Sequence, residues 1–333
     1  MTVTNNQREG EPAIDAERSA AALRAILAQA DPATWYPQAP KARSAWEPFD
    51  LCDLRGSDLS NQQIGAVMMA ECALDGANFS HAVLLETSLQ STSVSRANFT
   101  NAKLRRTQMI PFFGEHTDFS RATFDKAAME YARLLDCNFR SAQFAETSLS
   151  HADLSRSAFS GAQFSACQLD STLLHDADLR EASFTECDLR KAVFQSAQMK
   201  GTALVGCEMV GTDFRHADVE HAVIRGGHFG IYEQGSVLTP TRFDDTPAAR
   251  RLVAASGAEG IDSIEWSLPD PDRATTPRSV PAGQPCPRNG FWFTPVSLGS
   301  RRYFKQGDVM PALDGDYGAT VWQWDRNQNP PKL

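Results

Sequence analysis

The sequence predicts an all-β solenoid of four-sided coils, because two columns of residues recur at a fixed spacing of five. Stepping by five from Leu54 to Phe229 gives 36 positions, of which 35 are large and apolar and one is Gly114. Two residues before each of them lies a small residue, with one glutamine, one valine and one phenylalanine as exceptions. No insertion or deletion interrupts either column, so the register is a property of the whole segment.

A spacing of five fits neither an amphipathic helix nor a flat strand. Steps of five rotate by about 140° around a helix and scatter the apolar residues, while an odd step moves successive residues to opposite faces of a strand. A chain that turns one corner in every five residues places both columns inside. Four corners close a coil of twenty residues, and the 36 positions then make about nine coils.

The pattern resembles that of the pentapeptide-repeat family, in which Ala, then Asp or Asn, then Leu or Phe precede two variable residues. The triplets that carry the resemblance are Ala77-Asn78-Phe79, Ala97-Asn98-Phe99, Ala152-Asp153-Leu154, Ala177-Asp178-Leu179 and Ala217-Asp218-Val219. The resemblance covers residues 51–230 and implies a right-handed quadrilateral β-solenoid. It implies no activity.

Residues twenty apart lie above one another in such a solenoid. Two interior phenylalanine ladders follow, formed by Phe79, Phe99, Phe119, Phe139 and Phe159 and by Phe124, Phe144, Phe164 and Phe184. Six of the seven cysteines fall in the small column, where we expect unpaired thiols that act as small fillers, and only Cys286 lies elsewhere. This use of cysteine is typical of a reducing compartment, and we expect a cytoplasmic protein.

The segments on either side of the repeats differ in kind. Residues 1–50 contain an alanine-rich helix, residues 14–29, that we expect to cap the first coil. Residues 231–282 are rich in Pro, Asp, Ser and Thr, with one helical patch near 247–255, and are interpreted as a linker or cover. Residues 283–333 predict a small β-rich unit with Trp292, Phe304, Trp322 and Trp324 as its core.

The last segment is also similar to short terminal modules found with bacterial type VI secretion and toxin–immunity proteins. The residues that carry this similarity are Cys286-Pro287, Gly290-Phe291-Trp292, Gly299, Arg301-Arg302, Met310-Pro311 and Thr320-Val321-Trp322.

The chain shows no pattern typical of an enzyme, a metal centre or a cofactor site. The seven histidines fall on outward or corner positions scattered along the rod, so no catalytic cluster is expected. Gly201, Gly206 and Gly211 are five apart and are expected at turns rather than around a phosphate. A ladder of Asp and Asn from Asp58 to Asp218 could hold calcium, but we favour hydrogen bonds to the adjacent turn backbone.

Charge and hydropathy limit the partners. The net charge of −9 argues against nucleic acid as a direct partner, and no stretch approaches eighteen apolar residues, so no membrane segment is expected. Residues 51–230 contain 22 Asp and Glu against 16 Lys and Arg, mixed along the segment.

Two classes of function therefore stay open. One is a non-catalytic protein-binding scaffold, an immunity protein or an effector adaptor or chaperone of a type VI secretion or toxin system. The other is a DNA mimic that protects a type II topoisomerase such as DNA gyrase, a role known in the pentapeptide-repeat family. That role requires a strongly negative rod, and we favour the scaffold. The sequence does not decide the oligomeric state.

A candidate binding site follows from residues 109–116 (MIPFFGEH), where the pattern fails. Phe112 occupies a small position and Gly114 a large one, and Pro111 lacks a backbone donor, so we expect a bulge at that corner with Phe113 pointing outward. Such a patch could bind a protein partner or be covered by the N-terminal cap or by residues 231–282. The predicted patch consists of Phe113, Leu135, Leu173 and Val193, rimmed by Arg133, Arg156 and Arg215.

Overall fold

The computed structural model describes residues 19, 20, 23, 52–230, 240–268, 279–287, 289–293, 302–312 and 321–324. Helix α1 (Pro247–Ala254) and a short 3-10 helix (Ile261–Ser263) lie near the end of the solenoid. The strands in chain order are β1 (Gln63–Gly65), β2 (Val83–Leu85), β3 (Thr92–Ser93), β4 (Lys103–Arg105), β5 (Phe112–Glu115), β6 (Thr123–Asp125), β7 (Arg133–Leu135), β8 (Gln143–Ala145), β9 (Gln163–Ser165), β10 (Ser183–Thr185), β11 (Ala203–Val205), β12 (Val223–Arg225), β13 (Arg242–Asp244), β14 (Glu265–Ser267), β15 (Ser279–Pro281), β16 (Gly290–Phe293), β17 (Arg302–Phe304) and β18 (Val321–Trp324).

The solenoid has four faces, and on each face a residue pairs in parallel with the residue twenty positions later. We number the faces by their first pair: face 1 begins with Asp53 and Ala73, face 2 with Asp58 and Asn78, face 3 with Gln63 and Val83, and face 4 with Met68 and Ser88. Face 3 is a continuous sheet of nine strands in the order β1-β2-β4-β6-β8-β9-β10-β11-β12. The predicted all-β, right-handed quadrilateral solenoid is confirmed.

The interior consists of the two columns that the sequence shows. Every large residue of the five-residue column is buried, and the phenylalanine rings stack along the rod with centroids 4.5 to 4.9 Å apart. Threonines in the small column are also fully buried. Each donates its hydroxyl proton to the carbonyl 23 residues earlier, as from Thr117 to Val94 at 2.7 Å and from Thr202 to Leu179 at 2.7 Å. These bonds remove the cost of burying a hydroxyl group.

Apart from the corner at Pro111, each corner of residues 52–230 is turned by one residue in the left-handed region of backbone space. Non-glycine residues occupy it at most corners, for example Tyr131 with φ 59° and His151 with φ 60°. Gly201, Gly206 and Gly211 occupy it too, which confirms their assignment to turns. Pro111 stands at this position on one corner, where the Ile110–Pro111 peptide bond is cis.

The bulge expected near Pro111 is absent. Strand β5 pairs in unbroken register with β3 and β7, which places Phe113 beside Ser93 and Arg133. The physical reason is that a large and a small residue have exchanged places within one strand. Phe112 is fully buried at a position of the small column, and Gly114 at a position of the large column leaves the space that the phenylalanine ring needs. A Cβ atom on Gly114 would lie 2.9 Å from Val94 Cγ2 and 3.1 Å from Leu134 Cδ2.

The solenoid continues past Gly230, where the sequence predicted a linker or cover. Arg242 pairs with Asp213 on face 1, Glu259 pairs with His228 on face 4, and β14 adds one further rung beside β13. The rod therefore has about ten turns rather than nine. Nine residues between Gly230 and Pro240, and then α1, break the spacing of five, so periodicity could not reveal this extension.

Helix α1 lies where the helical patch was expected, beside faces 2 and 3 of the last coil. Thr246 begins it, with its hydroxyl oxygen accepting a hydrogen bond from the Ala249 N–H, and Leu252 and Val253 are buried against the solenoid core. Arg250 stacks 3.7 Å from the ring centre of Trp266.

The N-terminal helix predicted over residues 14–29 lies almost entirely outside the described residues. Of that segment, Ser19 is buried, and its hydroxyl oxygen accepts a hydrogen bond from the Asp53 N–H of the first coil at 2.8 Å. Leu23 packs against the solenoid core.

The C-terminal segment contains a four-stranded antiparallel sheet in the order β15-β18-β16-β17. Trp292, Phe304 and Trp322 are buried in it as expected, together with Val280, Cys286 and Met310. The side chain of Trp324 lies outside the described residues. Cys286, the one cysteine expected away from an interior column, is buried as well, so all seven cysteines are buried and none forms a disulfide.

Candidate functional site

Face 1 carries the outward residues predicted to bind a partner. Phe113, Leu173 and Val193 share its ladder, as expected, but Arg133 and Asp153 lie between Phe113 and Leu173. Three rungs at about 4.8 Å separate those two side chains. The structure therefore divides the predicted patch into one part at Phe113 and Leu135 and another at Leu173 and Val193.

Phe113 is the most accessible apolar residue of the predicted patch. Its side chain is 39% exposed, whereas Leu135, Leu173 and Val193 are half-buried. No described residue covers Phe113, since the described part of 231–282 extends the end of the rod instead of folding back along face 1.

The predicted basic rim consists of one unpaired arginine and two paired ones. Arg156 donates to both carboxylate oxygens of Asp136, at 2.9 and 2.6 Å, and Arg215 does the same to Asp213 at the same distances. Burial opposes ionisation of Asp213, but the hydrogen bonds from Arg215 outweigh it and hold the pKa of that carboxyl below its usual value. Arg133 is exposed and has no ion pair within the described part of the chain.

Sequence reasoning missed an aromatic pair at the corner that precedes face 1. Tyr131 and His151 stack with ring centres 5.0 Å apart and planes inclined by 3°. Tyr131 is 60% exposed, although tyrosine is normally at least half buried in a folded chain. The available signal was that Tyr131 is the one Phe, Tyr or Trp in the corner column, which otherwise holds Gly, Ala, Pro and polar or charged residues. We call Phe113, Tyr131, Arg133, Leu135 and His151 the Phe113 surface.

Elsewhere on the rod, eight of the 22 carboxylates in residues 51–230 form ion pairs with Arg or Lys. An Asp-x-Arg arrangement recurs, in which arginine donates to the carboxylate two residues earlier, as between Arg180 and Asp178 at 2.7 Å. Other pairs cross from one coil to the next, such as Arg105 with Asp125 at 3.0 Å and Arg106 with Glu86 at 3.0 Å. The acidic residues therefore do not form one uninterrupted negative face.

Other ionisable groups have structural partners. Asp and Asn side chains of the face 2 ladder accept hydrogen bonds from the backbone two residues later, as Asp118 does from Ser120 at 2.8 Å, and Asn138 donates to Asp118 at 3.0 Å. His216 pairs with Asp244 at 3.0 Å, and His228 lies between Glu208 and Glu259. Among the described residues, no group of three His, Cys, Asp or Glu side chains could hold a metal ion.

The described residues include no helix that is both long and apolar enough to cross a membrane.

Comparison with known proteins supports the repeat assignment. The family model for pentapeptide repeats matches in eight copies, over residues 69–106, 137–176, 157–195, 172–209 and 194–229. The interval between the first and second of these ranges contains most of the Phe113 surface. No curated protein matches the chain.

Solved structures of other repeat proteins are similar at low identity. HetL from Nostoc sp. strain PCC 7120, a pentapeptide repeat protein involved in heterocyst differentiation regulation, is 20% identical, with 66% of this chain and 89% of HetL covered and a TM-score of 0.33. Full-length QnrB1, a plasmid-mediated fluoroquinolone resistance protein, is 15% identical, with 64% and 95% covered and a TM-score of 0.28. We transfer no function from either. The unbroken spacing of five, the two buried columns and the family match together show that the solenoid of this chain is built of pentapeptide repeats.

Proposed function

We propose that the protein is a non-catalytic scaffold that binds another protein through the Phe113 surface. The observation that carries this proposal is the exposure of Phe113 next to an exposed Tyr131–His151 stack and an arginine without an ion pair. Aromatic residues and arginine are enriched at the centres of protein interfaces and contribute most of their binding energy. Solenoid faces are rigid, so such a surface binds with little loss of backbone entropy.

The placement of this surface gives further support. Four of its five residues lie in residues 107–136, between the ranges that the repeat model matches, and His151 lies in the second matched range. Residues 107–136 also contain the exchange of Phe112 and Gly114 and the corner at Pro111. A departure from a strict repeat that leaves the coil register intact but changes the outward side chains fits a binding role.

We further propose that the partner belongs to a bacterial type VI secretion or toxin system and that this protein is its immunity protein, adaptor or chaperone. The support is the sequence of the C-terminal unit. Seven buried cysteines, none of which forms a disulfide, support action in a reducing compartment such as the cytoplasm. A topoisomerase protector that imitates DNA would need a continuous negative surface, and the ion pairs of Asp136, Asp178 and Asp213 speak against that alternative.

The test is quantitative affinity capture from the producing organism with three versions of the full chain. The versions are wild type, Phe113→Ser with Tyr131→Ser, and Ile261→Ser as a matched control, since Ile261 is 37% exposed at the far end of the rod. We expect at least a tenfold loss of one bound protein with the double variant and none with the control. Thermal unfolding should remain within a few degrees of wild type for both.

The bound protein's identity then separates the alternatives. A toxin, effector or secretion component supports the proposed role, and a topoisomerase subunit supports the DNA-mimic role. Equal capture by all three versions would show that the Phe113 surface is not the binding site.

A further inference from the structure

Among the described residues, no strand pairs with the far side of the last coil on faces 2 and 3, so its edge is open there. Strand β12 pairs only with β11 and ends the nine-stranded sheet. In earlier coils the equivalent backbone groups are paired: the Thr202 carbonyl accepts from Val223 N–H at 2.8 Å, and Met199 N–H donates to Asp218 at 2.8 Å. Within the described part of the chain, the Val219 and His221 N–H groups and the Ala222 carbonyl have no such partner.

In the described part of the chain, α1 takes the place of the two faces that another coil would supply, and a helix adds no strand to the edge. The helix spans these faces and leaves a groove of about 490 Å³ between itself and the last coil, a volume typical of ligand-binding clefts. The groove is lined by Val219, Glu220, His221, Ala222, Val223, Ile224 and Arg225 from the coil and by Ala248, Arg251, Leu252 and Ala255 from the helix and its cap.

Two arginines and one carboxylate, Glu220, line the groove, so its arginines outnumber its carboxylates in an otherwise acidic protein. Arg225 and Arg251 are exposed, and neither forms an ion pair with any described residue. Their neighbours differ: Arg242 pairs with Glu265 at 3.0 Å, and Arg250 pairs with Asp245 at 2.7 Å. Two unneutralised arginines at an open strand edge attract an acidic segment.

From this geometry we infer that the groove binds an extended acidic peptide from a partner protein. The peptide backbone pairs with the open edge above Val219 to Ile224, small apolar side chains enter between the edge and α1, and a carboxylate meets Arg225 or Arg251. This is strand addition to a sheet edge, in which backbone hydrogen bonds supply affinity and side-chain pockets supply selectivity. An unpaired edge is otherwise a site of unwanted association. The site is independent of the Phe113 surface.

The test uses random heptapeptides displayed on phage and the full-length protein. Selection on wild type is followed by counter-selection on Ala255→Trp, which fills the groove. Ala254→Trp is the matched control, because Ala254 is the adjacent exposed alanine of α1 and does not line the groove. We expect enriched peptides with Asp or Glu beside Val, Ala or Ile.

The enriched peptide is then synthesised with a fluorophore and its binding is measured by fluorescence anisotropy. We expect Ala255→Trp and Arg251→Glu each to raise Kd at least tenfold, and Ala254→Trp and Phe113→Ser to leave it within twofold. Hydrogen exchange at the Val219 and His221 amides should slow when the peptide binds. Arg251→Glu keeps the test valid if Ala255→Trp does not fold.

Three results would overturn the inference. One is a selection that yields no peptide lost on Ala255→Trp. Another is an enriched peptide whose binding leaves exchange at the last coil unchanged. The third is peptide binding that occurs only after residues 231–239 or 269–278 are replaced by Gly and Ser, since the groove would then belong to this chain's own segment.

Discussion

At the scale of single residues, the threonine hydroxyls of the small column are buried with hydrogen-bond partners in the neighbouring coil. Buried threonine hydroxyls meet carbonyls 23 residues earlier, and the Cys137 thiol meets the Gly114 carbonyl at 3.6 Å. Burial raises the pKa of Cys137 to about 12. The pKa of Cys187 is also raised, first by hydrogen bonding with Cys167 and Cys207 and then by burial.

From the raised pKa of these thiols we predict that the folded protein loses stability at alkaline pH. The folded pKa of Cys137 lies above its value in the unfolded chain, so the unfolded state alone loses the proton once the pH passes the unfolded value. The contribution of Cys137 to the free energy of unfolding is complete below about pH 8.5. It declines by about 1.4 kcal/mol per pH unit as the pH rises toward 12. Urea unfolding from pH 7.5 to 10.5 should show a shallower decline for Cys137→Ala than for wild type. Parallel curves would place this thiol in contact with water.

At the scale of one element, strand β5 shows that the coil conserves interior volume rather than residue identity. Phe112 and Gly114 exchange the usual small and large positions, and the strand keeps its register with both neighbours. Close packing of Val94 and Leu134 around Gly114 is what fixes this exchange.

From this exchange we predict that a single substitution at Gly114 destabilises the protein, whereas a large residue at position 114 restores stability when Phe112 is made small. Gly114→Ala places a Cβ within 3.1 Å of Val94 and Leu134 and should lower the free energy of unfolding by about 1–3 kcal/mol. Phe112→Ala with Gly114→Leu restores the usual pattern and should be more stable than Phe112→Ala alone, which only removes volume. Chemical denaturation of the four proteins provides the comparison. If the double variant is the less stable, Phe112 and Gly114 do not share one interior space.

At the scale of the whole molecule, the solenoid is a linear array in which each coil touches only its neighbours. The Phe194–Phe214–Phe243 stack, with ring centres 5.1 and 4.7 Å apart, links the last full coils to the extension at residues 240–268. A destabilising substitution should therefore promote local unfolding mainly in its own coil and in the neighbouring coils.

This linearity predicts a graded response to Phe243→Ala. Hydrogen exchange should accelerate in residues 204–229, where Phe214 loses its stacking partner, and stay at the wild-type rate around Phe79 and Phe99. Phe139→Ala at mid-rod is the control and should accelerate exchange on both sides of its own coil. Uniform acceleration along the rod in the Phe243 variant would show global rather than local coupling.

The Phe113 surface was only partly predictable, because the spacing of five shows which side chains point outward but not which other side chains they contact. Counting by twenties correctly placed Leu173 and Val193 in the ladder of Phe113. It could not show that Arg156 and Arg215 are held by Asp136 and Asp213, since those pairs depend on side-chain conformation. Nor did it reveal the stack of Tyr131 on His151.

The sequence by itself determined the coil, its four faces and its buried columns, because a spacing of five without insertions allows one closed arrangement of the large and small residues. The tertiary structure alone decided how the rod ends. Residues 240–268 add their rungs from segments interrupted by nine residues and by a helix, so they join the rod through pairing with Asp213 and His228 rather than through any repeat of their own. The groove between α1 and β12 likewise exists only in three dimensions, because the groups that line it come from both sides of that interruption.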